Sequence, residues 1–147
     1  MLYTEKKIDL FDVPGEYYLA HCISADFGMG KGIVVEFNKR YDMKTRLVSK
    51  YSKYLSTYRE RKLGGDCILE GRVFNLITKE RYYQKPTMDT MRSALNRMKE
   101  ICINRNITMI AMPTIGAGLD RLPWENVSEL IQEVFKDTEI EILVCKR

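Results

Sequence analysis

Apolar residues recur along this chain in two rhythms, and each rhythm predicts a different element. Short runs rich in β-branched and aromatic residues, bounded by turn formers, predict strands over residues 7–11, 17–23, 66–69, 73–78, 107–113 and 138–144. Between them the apolar spacing changes to three and four, the period of a helix with one buried face. Helices are predicted from about Gly30 to about Tyr41, over residues 44–58, from Thr87 as an N-cap, and from Pro123 in a first turn. Their stripes are Leu47, Tyr51, Tyr54, Leu55 and Tyr58; Met88, Met91, Leu95, Met98, Ile101 and Cys102; and Trp124, Val127, Leu130, Ile131, Val134 and Phe135. The runs 107–112 and 140–144 are almost continuously apolar, which suits strands covered on both faces. The sum is an α/β class domain, a three-layer α/β/α arrangement around a central mixed sheet.

Composition narrows the setting. With 147 residues, 45% of them hydrophobic, the chain suits a single domain, here 1–147, with a sizeable core. No apolar run reaches the ~20 residues of a membrane span, and the first residues lack the apolar stretch of a secretory signal. The expectation is a soluble, cytoplasmic monomer with no membrane partner, the nucleus being the alternative location for a eukaryotic source. Cys22, Cys67, Cys102 and Cys145 are scattered and His21 is the one histidine, so buried thiols are a better reading than zinc or disulfides.

The net charge of +4 is concentrated. Residues 39–62 carry nine basic side chains against Asp42 and Glu60, with tyrosines interleaved. Such a segment suits phosphate-rich partners, nucleic acid among them. The helical spacing of its tyrosines also fits one amphipathic helix with Arg46, Lys50 and Lys53 on a solvated face, the commoner fate of a charge run.

Candidate chemistry centres on two glycine-rich segments, Phe27-Gly28-Met29-Gly30-Lys31-Gly32 and Ile115-Gly116-Ala117-Gly118-Leu119-Asp120. Each follows a predicted strand and precedes a predicted helix. Glycine lets backbone N–H groups approach anionic oxygens, and a helix starting just beyond adds partial positive charge. Neither segment has the spacing of a Walker P-loop or a dinucleotide fingerprint. Brought together, the two would grip a diphosphate from both sides.

Those segments sit within a longer ordered set: Ile8-Asp9-Leu10-Phe11, Leu19-Ala20-His21-Cys22-Ile23-Ser24, Leu76-Ile77-Thr78-Lys79, Lys85-Pro86-Thr87, and Met112-Pro113-Thr114 running through Leu119-Asp120-Arg121-Leu122 to Trp124-Glu125-Asn126-Val127. The set resembles the macrodomain family over nearly the whole chain, and within it the branch of the terminal ADP-ribose protein glycohydrolase. Most macrodomains carry Asn-Ala-Ala-Asn where this chain has His21-Cys22-Ile23-Ser24, so mechanisms built on those asparagines do not transfer.

The branch resemblance implies Lys79 and Asp120 as a catalytic pair. It also implies a ligand site of Asp9, Leu10, His21, Ser24, Gly28, Met29, Gly30, Gly32, Ile33, Pro113, Thr114, Ile115, Gly116, Ala117, Gly118 and Leu119. In that site Asp9 meets the adenine, Ser24 lies near the nucleoside, the first glycine loop takes the distal ribose and residues 114–119 take the diphosphate. His21 reads more readily as a core or strand histidine than as a catalyst, and Trp124 as a packing anchor. A lysine attacking the anomeric carbon must be neutral, which for an ordinary lysine at pH 7 holds for about 4 molecules in 10,000, so its surroundings must disfavour the ammonium. With a carboxylate as leaving group, lysine and one acid/base suffice, and no metal or cofactor is called for.

The expected activity is removal of mono-ADP-ribose from acidic side chains of a modified protein, with O-acetyl-ADP-ribose as a further ester. ADP-ribosylated nucleic-acid bases, ADP-ribose-1-phosphate and a purely binding role stay open, although binding alone needs neither Lys79 nor Asp120.

Overall fold

The computed structural model describes all residues, Met1–Arg147. Six strands, β1 (Leu2–Lys7), β2 (Tyr18–Ser24), β3 (Asp66–Glu70), β4 (Val73–Lys79), β5 (Met109–Met112) and β6 (Glu141–Lys146), form one sheet in the order β1-β6-β5-β2-β4-β3. All neighbours are parallel except β3 and β4, a hairpin turned at Gly71 with φ +61°. Three helices, α1 (Val34–Tyr41), α2 (Met43–Lys50) and α3 (Tyr54–Glu60), cover one face; α4 (Met88–Arg105) and α5 (Trp124–Phe135) cover the other.

Strand alternation builds both cores. Successive strand residues point to opposite faces, so Leu19, Val73, Ile77 and Leu143 join Phe37, Met43 and Leu47. Ala20, Phe74, Leu76, Ile142 and Val144 join Met91, Leu95, Met98, Val127 and Ile131. Most of these side chains are fully buried, and each one larger than alanine contributes about 1.5–3 kcal/mol of transfer free energy. The α/β/α layering expected from the apolar rhythm is therefore the observed one.

Several elements differ from the sequence expectation. The first strand lies at 2–7 rather than 7–11, and residues 10–12 form a short 3-10 turn that Asp9 caps, its Oδ1 accepting from the Phe11 N–H at 2.9 Å. The helix expected from Gly30 starts at Val34, after Gly32 at φ +77°. The helix expected over 44–58 is broken at 51–53 into α2 and α3. The break re-aims Tyr54, which stacks on Phe27 at 5.5 Å between centroids and donates its hydroxyl to Asp66, while Tyr51 is left exposed.

Nor is the basic face simply solvated. Arg46 and Lys50 converge on Glu70 at 2.9 and 2.7 Å, and that carboxylate is almost wholly buried. A buried carboxylate left unpaired is strongly destabilising, so these two cations belong to the fold. Cys67, Cys102 and Cys145 are buried and Cys22 half-buried. No helix is long and apolar enough to cross a membrane.

Candidate active site

Parallel strands deliver their carboxyl ends to one edge, and the crossover order fixes what stands there. The loop after β2 carries the first glycine segment and the loop after β5 carries the second. β5 and β2 are neighbours, so two segments nearly ninety residues apart become adjacent. They touch: a Cβ built on Gly32 would lie 3.4 Å from Leu119 Cδ1. Asp9 stands beyond β6, where its charge reaches Cys145. The edge thus reads Asp9, second loop, first loop, and finally Lys79 at the end of β4.

A local irregularity aims the lysine. Pairing of β2 with β4 runs in step to Ile23 and Ile77, then slips so that Ser24 faces Lys79 and Thr78 is the extra residue. Such a bulge re-aims the side chain beyond it. Lys79 Nζ then donates to Asp120 Oδ1 at 2.8 Å, with side-chain exposures of 14% and 17%. Recessed charges this close interact more strongly than a surface pair. Cys22 lies close enough to feel both charges, and burial first, then the Asp120 carboxylate, hold its thiol protonated well above the ordinary thiol range.

The first loop is held by a group the sequence reading did not single out. Asp26 ends β2 as an Asx turn: its Oδ1 accepts from the Ser24 hydroxyl at 2.5 Å and from the Gly28 N–H at 3.1 Å, while Oδ2 accepts from the Tyr82 N–H at 3.1 Å. Burial raises the Asp26 carboxyl, but these three donors and nearby Arg81 outweigh it and hold the group below the usual carboxylate range. The spacing Asp26-x-Gly28 was the available signal. On the other side, Lys85 Nζ donates to the Leu119 carbonyl at 2.7 Å, fixing the residue before Asp120. Segment 80–85 is therefore clipped to the first loop by Tyr82 and to the second by Lys85.

The remaining expected ligand residues divide by exposure. Asp9, Gly30, Gly32, Gly118 and Leu119 are exposed, and Gly28, Ile33, Pro113, Thr114 and Ala117 half-buried, so these present surface to solvent. Leu10, Ser24, Met29, Ile115 and Gly116 are buried. The backbone favours glycine at 116: its φ is +73°, and a Cβ there would press on the flexible end of Met91, 2.8 Å from Cε.

His21 is corrected. It has no exposed surface and cannot touch a ligand in this structure. Its ring stacks on Phe37 at 3.9 Å, and Nε2 lies 2.7 Å from Asn75 Oδ1. Asn75 Nδ2 donates to the Ile68 and Val73 carbonyls, so Oδ1 is the acceptor and His21 Nε2 carries the proton. Nδ1 is buried without a partner. A second proton there would find no acceptor, and burial lowers the imidazole to about 4.

The Macro domain family pattern matches residues 26–131. A Homo sapiens protein named ADP-ribose glycohydrolase OARD1 is 42% identical over 144 residues, covering 96% of this chain and 89% of that protein. Among solved structures, the macrodomain of Mycobacterium tuberculosis DarG superposes with a TM-score of 0.78 at 21% identity, covering 98% of this chain and 97% of that one. Thermosipho africanus DarTG, solved in complex with ADP-ribose, gives a TM-score of 0.64 at 16% identity over 90% of this chain and 39% of that one.

Proposed function

The chain belongs to the macrodomain family, and from that premise we propose that it is a hydrolase that releases mono-ADP-ribose from acidic side chains, with Lys79 as nucleophile and Asp120 as its proton partner. The observation that carries the reading is the 2.8 Å contact between Lys79 Nζ and Asp120 Oδ1, recessed at the end of the paired glycine loops. The high identity to a protein named as an ADP-ribose glycohydrolase supports the reaction class.

The chemistry follows from that contact. Asp120 takes a proton from Lys79 along their hydrogen bond, and the free amine attacks the anomeric carbon of the distal ribose. The C–O bond to the ester breaks and its electron pair leaves on the substrate carboxylate. Asp120 then handles the protons as water adds to the anomeric carbon and the C–N bond breaks, which regenerates the amine. A free lysine and a free carboxylic acid in water differ by about 6.5 pK units, so the first transfer costs about 9 kcal/mol. A barrier of ~17 kcal/mol corresponds to about one turnover per second, so a transfer of that cost fits inside it. The backbone N–H groups of the glycine loops supply the diphosphate grip, which binds ground and transition states alike and positions the sugar.

The test compares Lys79→Ala with wild type on a glutamate-linked ADP-ribosyl protein. The variant loses release of ADP-ribose while its affinity for free ADP-ribose stays within about threefold, and full activity in it overturns the nucleophile. A second substrate, ADP-ribose on a nucleic-acid base, draws support from Lys53 and Arg61, which have no carboxylate partner and line a cleft of about 590 Å3. Steep loss of oligonucleotide binding with added salt is its signature, and salt-independent or absent binding removes it.

A further inference from the structure

Of the large apolar side chains left exposed on this molecule, three belong to the segments that adjoin Lys79 and Asp120. Tyr82, Tyr83 and Leu119 are 65%, 68% and 59% exposed. Their position is fixed rather than incidental. Tyr82 follows Lys79 by three residues, is tied through its N–H to Asp26, and lies so close over Gly28 that an added Cβ would meet its own at 2.8 Å. Leu119 precedes Asp120 and is held through its carbonyl by Lys85. The rim is also cationic: Lys31, Arg81, Lys85 and Arg121 flank it, and none has a carboxylate within 4.0 Å. The acids among them are already engaged, Asp26 with three donors, Glu80 with Arg59 at 2.8 Å and Asp120 with Lys79.

We propose that this rim is a docking surface for the polypeptide segment that carries the modified side chain, and that it favours segments with further acidic residues beside the modified one. The inference rests on the reading of the chain as a hydrolase of acidic-residue esters. Whatever bears the ADP-ribose leaves the site through this mouth, so the surface is continuous with the site. Tyrosine offers large contact area at low entropic cost, and the unpaired cations complement neighbouring carboxylates. A single-stranded nucleic acid would use parallel aromatic faces for successive bases. Here the Tyr82 and Tyr83 rings meet edge to face at 87°, 5.4 Å between centroids, which makes a notch for a side chain instead.

The experiment measures kcat/KM for wild type, Tyr83→Ala and Arg121→Asn on three substrates: a glutamyl-ADP-ribose peptide with acidic flanks, the same peptide with neutral flanks, and O-acetyl-ADP-ribose. Asparagine tolerates the positive φ at Arg121. Each variant is expected to lose about tenfold or more on the acidic peptide, chiefly in KM, with less than twofold change on O-acetyl-ADP-ribose. Equal losses on all three substrates, or no loss on the peptides, overturn the docking surface. So does a loss confined to an ADP-ribosylated oligonucleotide run in parallel. Failure of wild type to release ADP-ribose from any ester instead overturns the hydrolase reading, and so the two failures are told apart.

Discussion

Acidification isolates the buried His21 and puts a number on the core that holds the site in place. In the folded protein this imidazole is lowered to about 4, against about 6.5 in an unfolded chain. The unfolded state therefore binds the extra proton first as pH falls, and stability drops from about pH 6.5 down to about pH 4, where the loss is complete. The full difference is about 3 kcal/mol, and the part between pH 7 and pH 5 is about 2 kcal/mol. Because His21 bridges β2 to Asn75 on β4, that loss falls on the strand pair that ends at Ser24 and Lys79. Urea unfolding of wild type and His21→Gln at pH 7, 6, 5.5 and 5 separates this contribution from the carboxylates, which both proteins share. The gap between them should shrink by about 2 kcal/mol as pH falls to 5. A pH-independent gap, or an imidazole resonance that titrates near 6.5 in the folded protein, refutes the reasoning.

Three further outcomes follow from the loops. Asp26→Ala removes a charged acceptor from three donors at once and should cost roughly 2–3 kcal/mol, since such bonds contribute about 1.5–3 kcal/mol each but are neither additive nor fully buried here; thermal unfolding and ADP-ribose titration read both stability and affinity. Gly116→Ala should lose about 1–2 kcal/mol from its left-handed backbone alone and weaken ADP-ribose binding measured by calorimetry, and an unchanged affinity contradicts the loop's assigned part. On O-acetyl-ADP-ribose, which has no peptide to meet the rim, Lys85→Met should lower kcat more than KM by releasing the Leu119 carbonyl, with Lys85→Arg restoring most of it; equal effects of both variants remove the positioning role.

Much of this molecule was legible because its causes are local. Strand alternation fixed which residues enter which core, and Thr87 caps α4 as its side-chain type and position imply, its Oγ1 accepting from the Thr90 N–H at 3.1 Å. The two glycine loops stand at strand-to-helix junctions, as their flanking apolar runs required. What was missed has distant causes. β1 is an edge strand paired only with β6, and its Tyr3-Thr4-Glu5-Lys6-Lys7 lacks the apolar alternation of a covered strand. The break at 51–53 contains neither glycine nor proline; it follows from Phe27 and Asp66, which the helix must meet. His21 is buried by Phe37 and Asn75, the latter 54 residues away, and Glu70 on β3 pairs with Arg46 and Lys50, whose side chains stay 41% and 58% exposed.

Trapping the adduct tests the nucleophile most directly. Asp120→Ala, which keeps the amine but removes its proton partner, is incubated with a glutamyl-ADP-ribose substrate, reduced, digested and sequenced by mass spectrometry. The account predicts ADP-ribose on the peptide containing Lys79: the adduct forms more slowly without Asp120 to take the proton, and it accumulates because water addition, which also needs Asp120, slows more. An enzyme that still turns over with no lysine adduct, or an adduct mapped to another side chain, contradicts it.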